Sequence, residues 1–140
     1  MVDHVWTVLC SRSLVDVESQ NISLLEVVDE IALAPEVFAE GKDVSLPIRL
    51  EPVTCWRRTQ MDQPGKGRCR MSLINPDGKR LEEQSYTVDL SESPRRRTRI
   101  RMPGLTISKP GPYLFRVETQ MMPVGQWMEV AKIPLDIVSR

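Results

Sequence analysis

Apolar residues recur at every second position through much of this chain, the period of a strand with one buried face. Leu46, Ile48 and Leu50 form one such set, and Val53, Cys55 and Arg57 carry it past Pro52, where an edge position or a bulge is expected. Cys69, Met71 and Leu73 alternate with Arg68, Arg70 and Ser72. Tyr86, Val88 and Leu90 alternate with Ser85, Thr87 and Asp89, and Thr98, Ile100 and Met102 with Arg97, Arg99 and Arg101. Tyr113, Phe115 and Val117 make a further set. Residues 4–10 are rich in β-branched and aromatic side chains and read as a first strand. A last strand is expected over 127–138, after a loop at 122–125.

Two segments break this rhythm. In residues 22–33, Leu24, Val27, Val28 and Ile31 have helical spacing, and Ser23 with Glu26 fits a capping box. The Val and Ile content and the polar break before it favour a strand carrying a bulge. Residues 35–40 read as one short helical turn, with Pro35 at its first position and Gly41 at its end. Pro and Gly mark loops at 60–67, 75–78 and 109–112. About eight short strands result, with no alternation of strand and helix. The expectation is an all-β, single-domain chain over 1–140, an antiparallel two-sheet sandwich of immunoglobulin-like type. Eleven prolines agree with it, since proline interrupts helices and tolerates loops and edges.

Composition changes little. The 140 residues carry 19 basic and 19 acidic side chains, with 41% hydrophobic residues. That is a globular composition, not a disordered one. The N-terminus lacks a basic segment followed by a long apolar run, and no stretch approaches the roughly 18 apolar residues of a membrane span. A soluble, cytoplasmic protein is expected, with no membrane contact. Cys10, Cys55 and Cys69 are odd in number and form no CxxC pair, so free buried thiols are expected. A Cys55–Cys69 bridge requires their strands to be adjacent.

Motifs for catalysis are missing. His4 is the sole histidine, which excludes HExxH and two-histidine chemistry. Along one strand His4 and Cys10 are about 20 Å apart at ~3.3 Å per residue, too far to act as a nucleophile pair. No phosphate loop, dinucleotide fingerprint or nucleophile elbow is present. The expectation is a non-enzymatic protein without cofactor or metal.

Charge placement changes the picture most. Residues 1–52 hold 10 acidic and 3 basic residues, a net of −7. Residues 53–109 hold 13 basic and 6 acidic, a net of +7, and residues 110–140 hold 3 of each. Arg95, Arg97, Arg99 and Arg101 share one parity, so a strand there presents a basic row opposite an apolar one. Arg96 breaks the parity, which puts the strand's start after it. Arg68 and Arg70 repeat the arrangement, and Trp56 precedes Arg57 and Arg58.

The segments HVWTVLC, NISLLEVVDEI, NPDGKRL, GPYLFRVE and WMEVAKIPLDI together resemble a bacterial family of small proteins known only as a domain of unknown function. The resemblance covers most of the chain. It implies a compact sandwich in a bacterial cytosol and brings no catalytic residue.

The functional expectation is therefore a binding or assembly module. Arg68, Arg70, Arg97, Arg99 and Arg101 would engage carboxylates or phosphates of an acidic partner, with Trp56 as an anchor. A homodimer joining the acidic first third to the basic middle is the alternative. A nucleic-acid-binding accessory protein and a small enzyme of unknown class are further alternatives; nucleic acid is disfavoured, because no aromatic ring is interleaved with the arginine row.

Overall fold

The computed structural model describes residues 1–122 and 125–140. Pro123 and Val124, within the loop expected at 122–125, lie outside the described residues. Among the described residues the chain forms eleven strands and one 3-10 turn, Pro35–Phe38. The strands are β1 (Val2–Val15), β2 (Ile22–Val27), β3 (Glu30–Leu33), β4 (Val44–Leu46), β5 (Glu51–Arg58), β6 (Gly65–Ile74), β7 (Arg80–Leu90), β8 (Arg95–Arg99), β9 (Leu105–Ile107), β10 (Gly111–Met121) and β11 (Met128–Ser139). The fold is all-β and holds three sheets: β2-β1-β5-β8, β3-β11-β10-β6-β7 and the pair β4-β9.

The count of about eight strands was too low for a physical reason. β9 is only three residues, too short to show alternation, and the run read through Leu46, Ile48 and Leu50 into β5 is broken: β4 ends at Leu46, Ile48 lies in no strand, and Leu50 makes only an isolated bridge to Met102. Residues 22–33 are strand, not helix, but they form two strands in different sheets rather than one bulged strand. Glu26 adopts φ 54°, a left-handed conformation that redirects the chain after β2. β2 then remains beside β1, while β3 crosses to lie parallel to β11. That parallel pair departs from the all-antiparallel expectation.

Pro52 does not mark an edge, because β5 lies between β1 and β8. Its carbonyl accepts from Ile100 N at 3.1 Å, just past the end of β8, so its missing N–H falls where the ladder stops. The loop read over 60–67 is shorter than expected, and β6 starts at Gly65. A Cβ on Gly65 would stand 2.4 Å from Met1 O, so the glycine admits the start of β1. β8 begins at Arg95 and includes Arg96, contrary to the parity argument.

The two larger sheets bury one face each in a common core. Leu9 and Trp56 come from the four-stranded sheet, and Cys69, Met71, Leu73, Val88, Phe115, Val117, Leu135 and Ile137 from the five-stranded one. The alternating sets read in the sequence thus supply the core. Trp56 Nε1 donates to Thr98 Oγ1 at 3.3 Å, and Tyr86 Oη is 2.7 Å from the same hydroxyl, so the buried polar atoms there are satisfied.

The opposite face of the four-stranded sheet is also covered. Val53 and Cys55 alternate with Trp56, yet they are 0% and 5% exposed. β1 pairs with β5 over its first part and with β2 beyond it. The β1–β2 hairpin curls back until Gln20 and Ser13 meet the arginines of β8. This curl shelters Val53 and Cys55.

Candidate functional site

The structure separates the residues that the sequence grouped. Trp56 is not a surface anchor: it is fully buried in the core. Arg68 and Arg70 lie on β6 in the five-stranded sheet, whereas Arg97 and Arg99 lie on β8 in the four-stranded one. Both pairs point away from the common core, so they face opposite sides of the molecule. They do not form one basic face.

Arg70 is already committed. It lies directly across the sheet from Glu118 and grips that carboxylate through Nε at 3.0 Å and Nη2 at 2.9 Å. Glu83 and Arg80 extend the network: Arg70–Glu83 is 3.7 Å, Arg80–Glu83 3.4 Å and Arg80–Glu118 3.7 Å. The guanidinium of Arg70 also sits 4.4 Å from the centre of the Trp127 ring, and that of Arg68 5.8 Å. The paired guanidinium holds the Glu118 carboxyl below its usual range, against burial acting the other way.

Arg97 and Arg99 are clamps. Arg97 Nη2 donates to Gln20 O, and Arg99 Nη1 approaches Ser13 O at 3.5 Å and Ser13 Oγ at 3.4 Å. They hold the hairpin that covers the sheet. Only two ion pairs join the acidic first third to the basic middle among the described residues, Lys79–Asp43 at 2.9 Å and Arg101–Glu51 at 3.5 Å.

Arg101 leads to a site that the sequence reading missed. Where the β1–β2 hairpin leaves β5, a cleft of about 450 Å³ opens. Arg12, Arg49 and Arg101 line it, together with Glu51, Leu50 and Met102. Glu51 pairs with Cys10 at the start of β5, and Leu50 bridges to Met102. Arg12 and Arg49 also border a more open depression with Leu25 and Glu26. Glu51 is 2% exposed, and neither carboxylate oxygen receives a hydrogen bond among the described residues. Arg101 Nε, 3.5 Å from Oε1, is within ion-pair range but not aligned as a hydrogen bond. A signal for this site was present: Arg49 and Glu51 share the parity of Val53 and Cys55, a charged pair in step with buried residues.

His4 Nε2 is hydrogen bonded to Thr7 Oγ1 at 2.7 Å, and burial lowers its pKa. Cys10, Cys55 and Cys69 are free and buried, and no bridge joins Cys55 to Cys69. Burial raises all three thiols, Cys69 to about 12; Glu51 adds to the rise at Cys10, while Arg95 and Arg97 oppose it at Cys55. Among the described residues no helix is long and apolar enough to cross a membrane.

No protein-family model matches the chain, and no curated protein matches it in sequence. The geometry of the cleft is what bears on function.

Proposed function

We propose that the protein is a non-enzymatic binding module, on an immunoglobulin-like sandwich scaffold, that engages an acidic protein partner through the cleft lined by Arg12, Arg49 and Arg101. One observation carries this reading. Three arginines converge on a single depression, and among the described residues Glu51 is the sole carboxylate within 4.0 Å of any of them, through Arg101. Among the arginines grouped from the sequence, Arg70 is paired with Glu118, and Arg97 and Arg99 donate to hairpin carbonyls. Guanidinium groups without a partner are suited to bidentate capture of carboxylates. A protein carboxylate suits the site better than nucleic acid, since no aromatic ring lines the cleft for base stacking.

The test is fluorescence anisotropy with a glutamate-rich peptide labelled at its C-terminus. Arg12 and Arg49 are exposed, so the whole contact of each arginine with a carboxylate is given about 1 kcal/mol, below the usual range for charged pairs. The Arg12→Gln/Arg49→Gln variant should then bind about thirtyfold more weakly. Binding by wild type should also weaken with salt. A peptide that binds the variant as tightly as wild type refutes the reading.

The self-association alternative meets a geometric constraint. β2, which contains Glu26 and follows Asp16 and Glu18, and the basic β8 form opposite edges of one sheet. Joining such edges between copies favours a head-to-tail chain over a closed two-fold dimer. Sedimentation at low salt would show a concentration-dependent series of species in that case, and a monomer under the proposed reading.

A further inference from the structure

We propose that Glu51 receives the free amino terminus of the bound acidic peptide. This rests on the reading that the cleft takes an acidic partner, and it names which part of that partner enters. Glu51 is the group in the cleft whose needs are unmet. Its side chain is 3% exposed, and both oxygens lack a donor among the described residues. A carboxylate removed from water without donors carries a desolvation cost that only a matched cation or hydrogen bonds offset.

The neighbours do not supply the match. Cys10 Sγ donates to the Glu51 backbone carbonyl at 3.3 Å, not to its carboxylate. Arg12 and Arg49 line the cleft but, among the described residues, reach no carboxylate within 4.0 Å. Arg101 alone is within range, and its side chain is 82% exposed. A guanidinium held so loosely can swing aside for an incoming donor at little cost.

The chemistry of the occupant follows from the two kinds of group. An ammonium carries three donors and no acceptor, which complements a buried carboxylate whose two oxygens lack donors, once Arg101 has moved aside. The arginines on the same walls repel a bare cation, so the amine must arrive beside negative charge. The N-terminus of an acidic segment has both: an ammonium for Glu51, and carboxylates one or two residues along for Arg12 and Arg49. The volume agrees. About 450 Å³ falls in the size range of small-ligand pockets, ~300–1,000 Å³, and fits a chain end rather than a folded surface.

Calorimetric titration with two glutamate-rich peptides, one with a free amino terminus and one N-acetylated, tests this. Wild type should bind the free form at least tenfold more tightly. Glu51→Gln should erase that preference, because a neutral amide no longer matches an ammonium. Arg12→Gln/Arg49→Gln should weaken both peptides and keep the preference. Equal binding of the two peptides by wild type, or an unchanged preference in Glu51→Gln, overturns the role of Glu51 and leaves the acidic-partner reading standing. Absence of binding by either peptide to wild type overturns both. Unchanged circular dichroism of Glu51→Gln would show that a lost preference is not a lost fold.

Discussion

Replacing Arg70 with methionine should destabilise the protein by about 2–3 kcal/mol, the range between a charged hydrogen bond and a broken buried pair. The structure sets the size. Arg70 and Glu118 make two hydrogen bonds of 3.0 and 2.9 Å, with side chains only 19% and 10% exposed. Removing the guanidinium strands a mostly buried carboxylate, though Arg80 at 3.7 Å tempers the loss. A second loss is the contact with the Trp127 ring, about 0.5–1 kcal/mol. A double-mutant cycle with Glu118→Gln separates the two, since the ring contact is absent from the pairwise term. Urea unfolding of wild type, both single variants and the double variant should give a coupling of about 1.5 kcal/mol. The pH dependence has a fixed sign. The pKa of Glu118 is lowered from 4.5 in the folded state, so its contribution is full above that value and lost as pH falls through the folded value. The gap between wild type and Arg70→Met should therefore narrow on acidification below pH 4.5. A coupling under about 0.5 kcal/mol, or a gap unchanged by acid, refutes the assignment of Arg70 to this internal network.

Arg97→Ala with Arg99→Ala should loosen the β1–β2 hairpin and expose the face it shelters. Labelling of Cys10 and Cys55 by a thiol reagent should speed up about tenfold, matching ~1.4 kcal/mol of easier local opening; unchanged rates would remove the clamp. Trp56→Ala should cost about 3–5 kcal/mol in urea unfolding, as a large core truncation does, whereas a loss near zero would return Trp56 to the surface. Gly104→Ala should destabilise by about 1–3 kcal/mol, because its Cβ would stand 2.7 Å from Leu46 O and push β4 from β9; an alanine variant as stable as wild type would show that the strands part without strain.

The fold class was legible because one face of most strands is buried. Cys69, Met71 and Leu73, and Tyr113, Phe115 and Val117, announce their strands by alternation and do line the core. Alternation fails on β5, where residues 51–56 are buried on both faces. There the period of two disappears, and with it the clue that the hairpin folds over the sheet. Arg97 and Arg99 do share one side of β8, though Arg96 belongs to the strand and Arg101 falls past its end, and parity says nothing about what lies opposite. Arg97 and Arg99 meet backbone carbonyls from residues 77 and 86 positions away, a contact set by the curl of β1. Arg70 meets Glu118 for the same reason: the partner lies on a strand far along the chain. Arg101 alone of the grouped residues borders the cleft, and its companions Arg12 and Arg49 come from the acidic first third. A segment total of −7 conceals two arginines that folding brings to the basic side.

Amide chemical-shift mapping during titration with the free-terminus glutamate peptide tests the central claim most directly. Shifts concentrated at Ser11, Arg12, Arg49, Leu50, Glu51, Arg101 and Met102, saturating together, are the predicted result. Shifts centred instead on Arg95 and Arg96, on Arg68 and Trp127, or nowhere, would contradict the cleft as the binding site.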